Sequence, residues 1–226
     1  MLTIDERKKL HGPEYLKRFE QADVSGRLKR LVNLMKFDKG SALADFGCGS
    51  GMILPLVANS VGYYYGIDFS ENFINCAKEN QSKLGIINAS FFCEDIASFC
   101  ERHYETIDHA LCLDLSEHVY DDEWTSILES IHRCLKPGGT LYLHTPNAIF
   151  FVEQMKARNL VLKQFAQHIA VRTTNHNLLL IQRAGFKDTR VTYIAHYNLL
   201  RFVHPLSVLP LIGSFFRARI FLEAKK

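Results

Sequence analysis

Residues 42–51 have the sequence Ala-Leu-Ala-Asp-Phe-Gly-Cys-Gly-Ser-Gly, the most informative part of the chain for predicting its fold. The short apolar run at its start is typical of a buried strand, which we predict over Ala42–Phe46. The three glycines that follow permit tight, partly left-handed turns and the close approach of a ligand. A helix is predicted next, through about Asn59. The free N–H groups at its start favour a negatively charged group such as a carboxylate.

Outside this stretch, short apolar runs alternate with helical patterns along the chain. Further strands are predicted at Tyr63–Ile67, Ser90–Cys93, His109–Leu113, Thr140–Thr145, Phe186–Ile194 and Arg219–Ala224. Helices are predicted at Glu71–Leu84 (with Ser70 as N-cap), at Ile96–Glu101, at Asp121–Leu135 before a Lys136–Gly139 turn, and up to Ala184-Gly185. This alternation predicts an α/β fold, a doubly wound, mostly parallel, seven-stranded Rossmann-like sheet. Helices are expected on both faces, with an antiparallel last strand.

Composition and charge limit the classes of protein to consider. The 226 residues are 47% hydrophobic and 23% charged, a globular balance, and the net charge of +3 is too mild to indicate nucleic-acid binding. The six cysteines form no Cys-x-x-Cys pair, which favours reduced, buried thiols over a disulfide framework or a zinc site. The first twelve residues lack the apolar core of a signal peptide. A cytoplasmic protein without a nucleic-acid partner is therefore expected.

An acidic residue follows the second predicted strand, in the position that suits a ribose. Asp68 lies seventeen residues after Gly51, and its carboxylate could accept hydrogen bonds from both ribose hydroxyls. The dinucleotide fingerprint G-x-G-x-x-G would need a third glycine where Met52 stands, whereas this chain has G-x-G-x-G preceded by Asp45.

These residues resemble the first motifs of the class I S-adenosylmethionine-dependent methyltransferases, and the resemblance runs from about Ser41 to Asn147. It implies S-adenosylmethionine as cofactor and a methyltransferase domain over 41–226. The residues themselves predict two helices in the first forty positions, which we interpret as a helical lid over 1–40, and an apolar insertion at about 199–217. Asp95 is the candidate acid against the adenine amino group, and Phe69 and Ile96 are apolar neighbours of the adenine or core residues. The cofactor-binding residues implied are Asp45, Gly47, Cys48, Gly49, Gly51, Asp68, Phe69, Asp95, Ile96 and Leu113.

The stretch Cys112–Val119 resembles the ubiquinone-biosynthesis O-methyltransferases, which have Cys-x-Glu-x-x-Glu-His-Val. The resemblance implies a divalent metal, Mg²⁺ or Zn²⁺, on Asp114, Glu117 and His118. Asp114 departs from the pattern, because the family has the longer Glu there. Two alternatives stay open: His118 as a general base without metal, and a structural role for the pair.

Further candidates come from other segments. His144, at the end of the fifth strand, could face the methyl acceptor as a second catalytic histidine. His168 resembles a family histidine that lines the substrate pocket, and Tyr15 could close over the site from the lid. The alternatives are a hydrogen-bonded core position for each histidine and an exposed helix position for Tyr15.

An apolar segment stands near the end of the chain. Residues 202–216 contain no formally charged side chain and are bounded by Arg201, Arg217 and Arg219. They are too short to span a bilayer, and prolines and glycine interrupt them. Peripheral contact with a membrane, the roof of an apolar substrate pocket, a homodimer contact and simple burial are the alternatives.

The function predicted is methyl transfer from S-adenosylmethionine to a small molecule, at a hydroxyl of an aromatic or lipophilic, quinone-like acceptor. An N- or C-methyltransferase of a natural product or sugar shares every cofactor motif. A non-catalytic S-adenosylmethionine-binding protein is a further alternative. A nicotinamide oxidoreductase is disfavoured by Met52 and by the lack of a Tyr-x-x-x-Lys pair.

Overall fold

A computed structural model describes residues 25–160 and 167–226 of the chain. The strands are β1 Ala42–Phe46, β2 Tyr63–Asp68, β3 Ala89–Cys93, β4 Ile107–Leu113, β5 Leu135–Pro146, β6 Lys187–Ile194 and β7 Arg219–Lys225. The α-helices are α1 Ser25–Val32, α2 Leu54–Val57, α3 Glu71–Lys83, α4 Ile96–Arg102, α5 Asp121–Cys134, α6 Phe151–Ala157 and α7 Thr174–Arg183. Short 3₁₀ helices occupy Ser116–His118, Leu199–Val208 and Gly213–Phe216.

The strands form one seven-stranded sheet in the order β3-β2-β1-β4-β5-β7-β6. Strand β1 is parallel to both β2 and β4, β2 is parallel to β3, and β6 pairs antiparallel with β7. The order reverses next to β1, so a crevice outside the carboxyl end of this strand is where doubly wound sheets bind ligands. The predicted fold class is confirmed.

The described residues divide into two compact units, one of 25–111 with 133–140 and one of 112–132 with 141–160 and 167–226. Aromatic rings fill the core of the first unit, where Phe46 packs edge-on against Phe99 with centroids 5.9 Å apart. In the second unit Tyr142 stacks on Phe221 at 6.0 Å, and the Trp124 side chain is fully buried. Each unit thus has an apolar core of its own.

The predicted strands agree with the observed ones to within about two residues, apart from β5. This strand begins at Leu135 and not at Thr140, so residues 136–139 belong to the strand and form no separate turn. Gly138 still bends the chain, with φ of 78°. The Lys136 ammonium lies 2.8 Å from both carboxylate oxygens of Asp108, which fixes the start of the strand.

The helices differ more from the predictions. Helix α2 covers only Leu54–Val57, helix α6 was not predicted, and Ser70 is the N-cap of α3 without a side-chain hydrogen bond. Of the predicted lid, residues 1–24 lie outside the described residues, and Tyr15 with them. No helix in the described ranges combines the length and apolar character needed to cross a membrane.

Candidate active site

The glycine loop after β1 depends on left-handed backbone at alternate positions. Gly47, Gly49 and Gly51 have φ of 74°, 53° and 70°, values that residues with a Cβ rarely adopt. The N–H groups of Gly47 and Cys48 both donate to the carbonyl of Ile67, at 2.8 and 3.1 Å. The loop is therefore fixed to the end of β2.

The Asp68 carboxylate at the end of β2 is oriented by the same loop. Its Oδ2 accepts a hydrogen bond from the N–H of Gly49 at 3.0 Å, and its Oδ1 accepts one from the N–H of Ser70 at 2.8 Å. A carboxylate has about four acceptor positions, enough for two backbone bonds together with ligand hydroxyls. The predicted ribose acid thus lies directly against the predicted glycine loop.

Asp45, the acid before the loop, is buried and bound to an aromatic side chain that the sequence did not single out. The hydroxyl of Tyr64 donates to Asp45 Oδ2 at 2.7 Å. Burial raises the pKa of Asp45 to about 7, the Tyr64 hydrogen bond opposes the rise, and the negative charge of Asp68 adds to it. Cys48, at the centre of the loop, is buried as well, and burial raises the pKa of its thiol.

The third predicted acid, Asp95, caps the N-terminus of α4. It is the N-cap residue, and its carboxylate accepts hydrogen bonds from both the N–H and the hydroxyl of Ser98, at 2.9 and 2.7 Å. These bonds hold the pKa of Asp95 below its usual value. Its predicted neighbours differ in exposure: Phe69 is 40% exposed and Ile96 is partly buried.

In the second unit, the segment that follows β4 turns sharply at Asp114. This residue has φ of 55°, and its N–H donates to the carbonyl of His144 at 2.8 Å. Its Oδ1 lies 2.9 Å from Nδ1 of His144 and 3.2 Å from a guanidinium nitrogen of Arg219. The predicted acid Asp114 and the predicted base His144 are thus in direct contact, while Leu113 before them is partly buried.

His144 itself is fully buried, and its second nitrogen is in contact as well. Its Nε2 lies 3.2 Å from the hydroxyl of Tyr197, and the guanidinium of Arg219 stands 4.7 Å over the Tyr197 ring. Nothing in the sequence connects these positions, because they lie more than fifty residues from His144.

Glu117, His118 and His168 gather into one cluster. A ligand atom from each lies within 4.8 Å of the others, and the His118 and His168 rings meet edge-to-face at 5.2 Å. His118 Nδ1 is 2.9 Å from the carbonyl of Gln167, which orients the ring. The cluster contains two of the three predicted metal ligands and the predicted substrate histidine His168.

The charge state of this cluster is set by burial. The Glu117 side chain is 1% exposed; its Oε2 accepts a hydrogen bond from Thr145 at 3.2 Å, and its Oε1 has no hydrogen-bond partner within 25–160 and 167–226. Burial, and then the charge of Asp114, raise the pKa of Glu117 to about 8. Burial and the neighbouring His118 lower the pKa of His168 to about 3, so this imidazole is neutral at pH 7.

A buried arginine connects the segments that carry the cluster. The Arg172 guanidinium donates to the carbonyls of Ser116 and Val119, at 2.6 and 2.8 Å, and to that of Ala170 at 3.2 Å. Its Nε donates to the Asp121 carboxylate at 2.7 Å. The 3₁₀ turn with Glu117 and His118 is thereby tied to the segment with His168.

The apolar segment near the end of the chain lies partly at the surface. Phe202, Val208 and Leu211 are 67%, 83% and 98% exposed. The chain just before the segment is anchored, since Leu200 packs against the buried Phe150, Val152 and Ala218, and Ser207 and Gly213 within the segment are buried. Simple burial of the whole segment is therefore wrong.

The sequence model of one family, described as a methyltransferase domain, matches residues 37–198. The chain belongs to the methyltransferase domain family. The predicted resemblance to class I S-adenosylmethionine-dependent methyltransferases is thereby confirmed.

Curated relatives of this methyltransferase are enzymes named ubiquinone biosynthesis O-methyltransferase. The one from Coxiella burnetii strain Dugway 5J108-111 is 31% identical over 112 residues, which are 50% of this chain and 46% of the relative. The one from Hydrogenovibrio crunogenus is 31% identical over 144 residues, 58% of this chain and 55% of the relative. The chain therefore matches about half the length of these relatives.

Solved structures agree on the fold. A SAM-dependent methyltransferase from Archaeoglobus fulgidus superposes with a TM-score of 0.67 at 17% identity, covering 97% of each chain. Another, from Methanosarcina mazei, superposes with a TM-score of 0.64 at 20% identity, covering 84% of this chain and 94% of the other.

Proposed function

We propose that this methyltransferase uses S-adenosylmethionine to methylate a hydroxyl group of a small aromatic or lipophilic acceptor. The observation that carries the use of S-adenosylmethionine is the contact between Asp68 and Gly49. It combines a carboxylate able to bind ribose hydroxyls with a loop whose backbone a ligand can approach closely.

Apart from Leu113, the residues assigned to the cofactor lie in the first unit. S-adenosylmethionine, when bound, supplies an electrophilic methyl group on a cationic sulfur. Asp68 orients the ribose, and the glycines at 47, 49 and 51 allow the backbone to approach the amino-acid end. Phe69 and Ile96 would flank the adenine, and Asp95 would accept a hydrogen bond from its amino group beside the existing Ser98 bonds.

The second unit holds the residues assigned to the acceptor. Loss of a hydroxyl proton needs a base within hydrogen-bond reach, and His118 is the candidate when no metal is bound. The prediction that His144 faces the acceptor is wrong, because this side chain is fully buried and both its ring nitrogens are engaged, by Asp114 and Tyr197. The names of the curated relatives support oxygen as the methylated atom. Nitrogen or carbon acceptors, and cofactor binding without turnover, are the alternatives that a transfer assay separates.

We further propose a divalent metal on Glu117, His118 and His168. The neutral imidazole of His168 is a suitable ligand. So is the Glu117 carboxyl oxygen that has no hydrogen-bond partner in the described ranges, once the metal displaces the proton that burial favours on this group. The backbone carbonyl of Gln167 orients the His118 ring through Nδ1. Metal-binding histidines are commonly oriented in this way, by a backbone carbonyl bound to the ring nitrogen that does not contact the metal. When bound, the metal would stabilise an acceptor alkoxide or phenolate. This set replaces Asp114 of the sequence-based set with His168.

The exposed apolar residues around Phe202 and Leu211 support peripheral binding to a membrane surface. Arg201 flanks them, with its guanidinium 4.9 Å from the Phe202 ring, and the segment contains no acidic residue. Apolar side chains next to a cation suit the interface of an anionic bilayer. Contact with a second copy of the chain is the competing use of this surface.

Calorimetry with S-adenosylhomocysteine tests the cofactor assignment. Asp68→Asn should weaken binding by about tenfold or more, because each lost hydrogen bond to a charged acceptor costs about 1.5–3 kcal/mol. Asp122→Asn, at an exposed acid on α5, is the matched control and should bind like the wild type. Unchanged affinity in Asp68→Asn would refute the ribose role.

A transfer assay then tests the acceptor class. The protein and a labelled methyl donor would be incubated with catechols, quinols, amines and lipid extracts. Label on the oxygen of catechols or quinols supports the proposal. Label found only on amines or carbon, or cofactor binding without any transfer, contradicts it.

A further inference from the structure

A cavity of about 350 Å³ lies in the second unit, lined in part by helix α6 and by residues 168–171. This volume is in the range of small-molecule sites. The lining includes Glu153, Lys156 and His168, together with small apolar side chains at Ala148, Ala157 and Val171. The cavity therefore combines apolar walls with a few polar groups, as expected of a binding site.

The carboxylate of Glu153 is the unusual feature of this cavity. The residue is 6% exposed, and its Oε1 accepts from the ammonium of Lys156 at 2.7 Å. Its Oε2 is buried and has no hydrogen-bond partner in the described part of the chain. An unsatisfied buried acceptor is costly, and native structures keep one where a ligand or water completes it.

The ion pair selects for the charge of a ligand. Glu153 and Lys156 together carry no net charge, so a ligand group placed between them needs none. For a carboxylate the attraction of Lys156 is offset by the repulsion of Glu153, and for an ammonium the two are reversed. A charged ligand group therefore gains little to offset the cost of its desolvation. A neutral hydroxyl is compatible with both, because it donates to the carboxylate while accepting from the ammonium.

We propose that this cavity binds the acceptor through a neutral hydroxyl group held between Glu153 Oε2 and the Lys156 ammonium. The apolar ring or chain of the acceptor packs on Ala148, Ala157 and Val171. The inference rests on the proposed function and specifies its substrate as an uncharged hydroxylated compound. His168 lines the cavity and also belongs to the cluster with Glu117 and His118. The cavity and the cluster therefore share one residue.

Binding of three catechols tests the proposal. The probes are 4-methylcatechol, 3,4-dihydroxybenzoate and dopamine, which share the ring and hydroxyls and differ in charge. Ligand-observed NMR titration of the wild-type protein should give at least about tenfold tighter binding of the neutral compound, the discrimination that one mismatched charge provides. Equal or weaker binding of 4-methylcatechol, or no binding, would overturn the proposal.

Two variants locate the binding. Glu153→Gln should weaken 4-methylcatechol binding by about tenfold, because the ligand hydroxyl then donates to a neutral amide and loses a charge-assisted hydrogen bond. Ala157→Phe fills the cavity from an exposed helix position and should abolish binding without disturbing the ion pair. Glu79→Gln is the control, since Glu79 pairs with Lys83 at the surface and should leave binding unchanged.

The outcomes separate this inference from the proposed function. Wild-type affinity in Ala157→Phe would show that the cavity is not used. Loss in Ala157→Phe with wild-type affinity in Glu153→Gln would refute hydroxyl recognition by the carboxylate. S-adenosylhomocysteine binding and methyl transfer, measured on the same proteins, report on the proposed function independently, and a melting curve of each variant identifies unfolding.

Discussion

The hydroxyl of Tyr64 donates a 2.7 Å hydrogen bond to Asp45, and both side chains are buried in the first unit. Burial raises the pKa of Asp45 to about 7, against 3.8 for the ordinary side chain. At a pH between these two pKa values, the Asp45 carboxyl is protonated in the native protein but ionised in the unfolded chain. The stability contributed by Asp45 is therefore complete below about pH 4 and decreases as the pH rises towards 7.

Asp45→Asn should remove this component of the pH dependence. The amide keeps the shape and can accept from Tyr64, but it does not titrate. Melting temperatures from pH 4 to 8 should fall less steeply in the variant than in the wild type. The wild type loses stability over this range because each unit of pKa difference between the native and unfolded Asp45 corresponds to about 1.4 kcal/mol of unfolding free energy. Asp122→Asn, an exposed acid, is the control, and parallel curves for Asp45→Asn and the wild type would refute the assignment.

Gly51 is required for two reasons that can be separated. Its φ of 70° disfavours any side chain, and an added Cβ would lie 2.7 Å from the ring of Phe91. Gly85 has a similar φ of 64° with nothing within 4 Å of such a Cβ. Gly85→Ala should thus cost about 1–2 kcal/mol of backbone strain, and Gly51→Ala that amount plus about 1–3 kcal/mol of overpacking.

Chemical denaturation of both variants measures the difference. Gly51→Ala should also weaken S-adenosylhomocysteine binding, because the loop moves when Phe91 is displaced. Equal destabilisation of the two proteins would show that Phe91 is not a steric limit.

Arg172 should be irreplaceable by lysine. A single ammonium cannot bind the carbonyls of Ser116, Val119 and Ala170 together with Asp121 as the guanidinium does. Arg172→Lys should lower stability by at least about 2 kcal/mol, because buried carbonyls lose their donors. It should also lower methyl transfer more than cofactor binding, which belongs to the first unit.

The control for Arg172 is Arg102→Lys, at the exposed ion pair with Glu94. It should change neither stability nor transfer measurably, as is usual for surface ion pairs. If Arg172→Lys behaved in the same way, the turn with Glu117 would not depend on the guanidinium.

The metal ligands can be distinguished by variants of His168 and Asp114. After treatment with chelator, Zn²⁺ titrated into His168→Gln should bind about tenfold or more weakly than into the wild type, as for the loss of one ligand. Asp114→Asn should have little effect, because its Oδ1 contacts His144 and Arg219. His176→Gln, a partly exposed histidine, is the control.

Two results would contradict this ligand set. A loss of Zn²⁺ affinity in Asp114→Asn equal to that in His168→Gln would favour the set predicted from sequence. Equal Zn²⁺ affinity in all four proteins would exclude the cluster as a metal site.

The sequence predicted the strands well because each is a short apolar run with turn residues beside it. It missed helix α6, whose seven residues Phe151–Ala157 are too few to establish a helical period. It placed the start of β5 too late, because Pro137 and two glycines indicate a turn even where Lys136 and Asp108 hold the chain in the sheet.

The candidate site was predictable only where its parts are local. The glycine loop and Asp68 form a short motif, so their proximity followed from strand order. His168 lies fifty residues from His118, and Tyr64 nineteen from Asp45, so tertiary packing alone brings these pairs together. The left-handed Asp114 also had no local signal, because aspartate is enriched at positive φ but most aspartates do not adopt it.

The exposed apolar segment gives the last prediction. Val208 and Leu211 are 83% and 98% exposed, so Val208→Glu with Leu211→Glu should fold normally. The added charges oppose both apolar insertion and attraction to anionic lipid. Wild-type protein should therefore float with phosphatidylglycerol-containing liposomes, and the double variant should remain at the bottom of the gradient.

Ile87→Glu is the matched control, because Ile87 is 92% exposed and lies in the first unit. This variant should float like the wild type, since it introduces the same kind of charge outside the segment. Equal flotation of all three proteins would exclude the segment as a membrane contact. A wild-type protein that does not float, and sediments as a dimer that the double variant loses, would assign the same surface to a second copy of the chain.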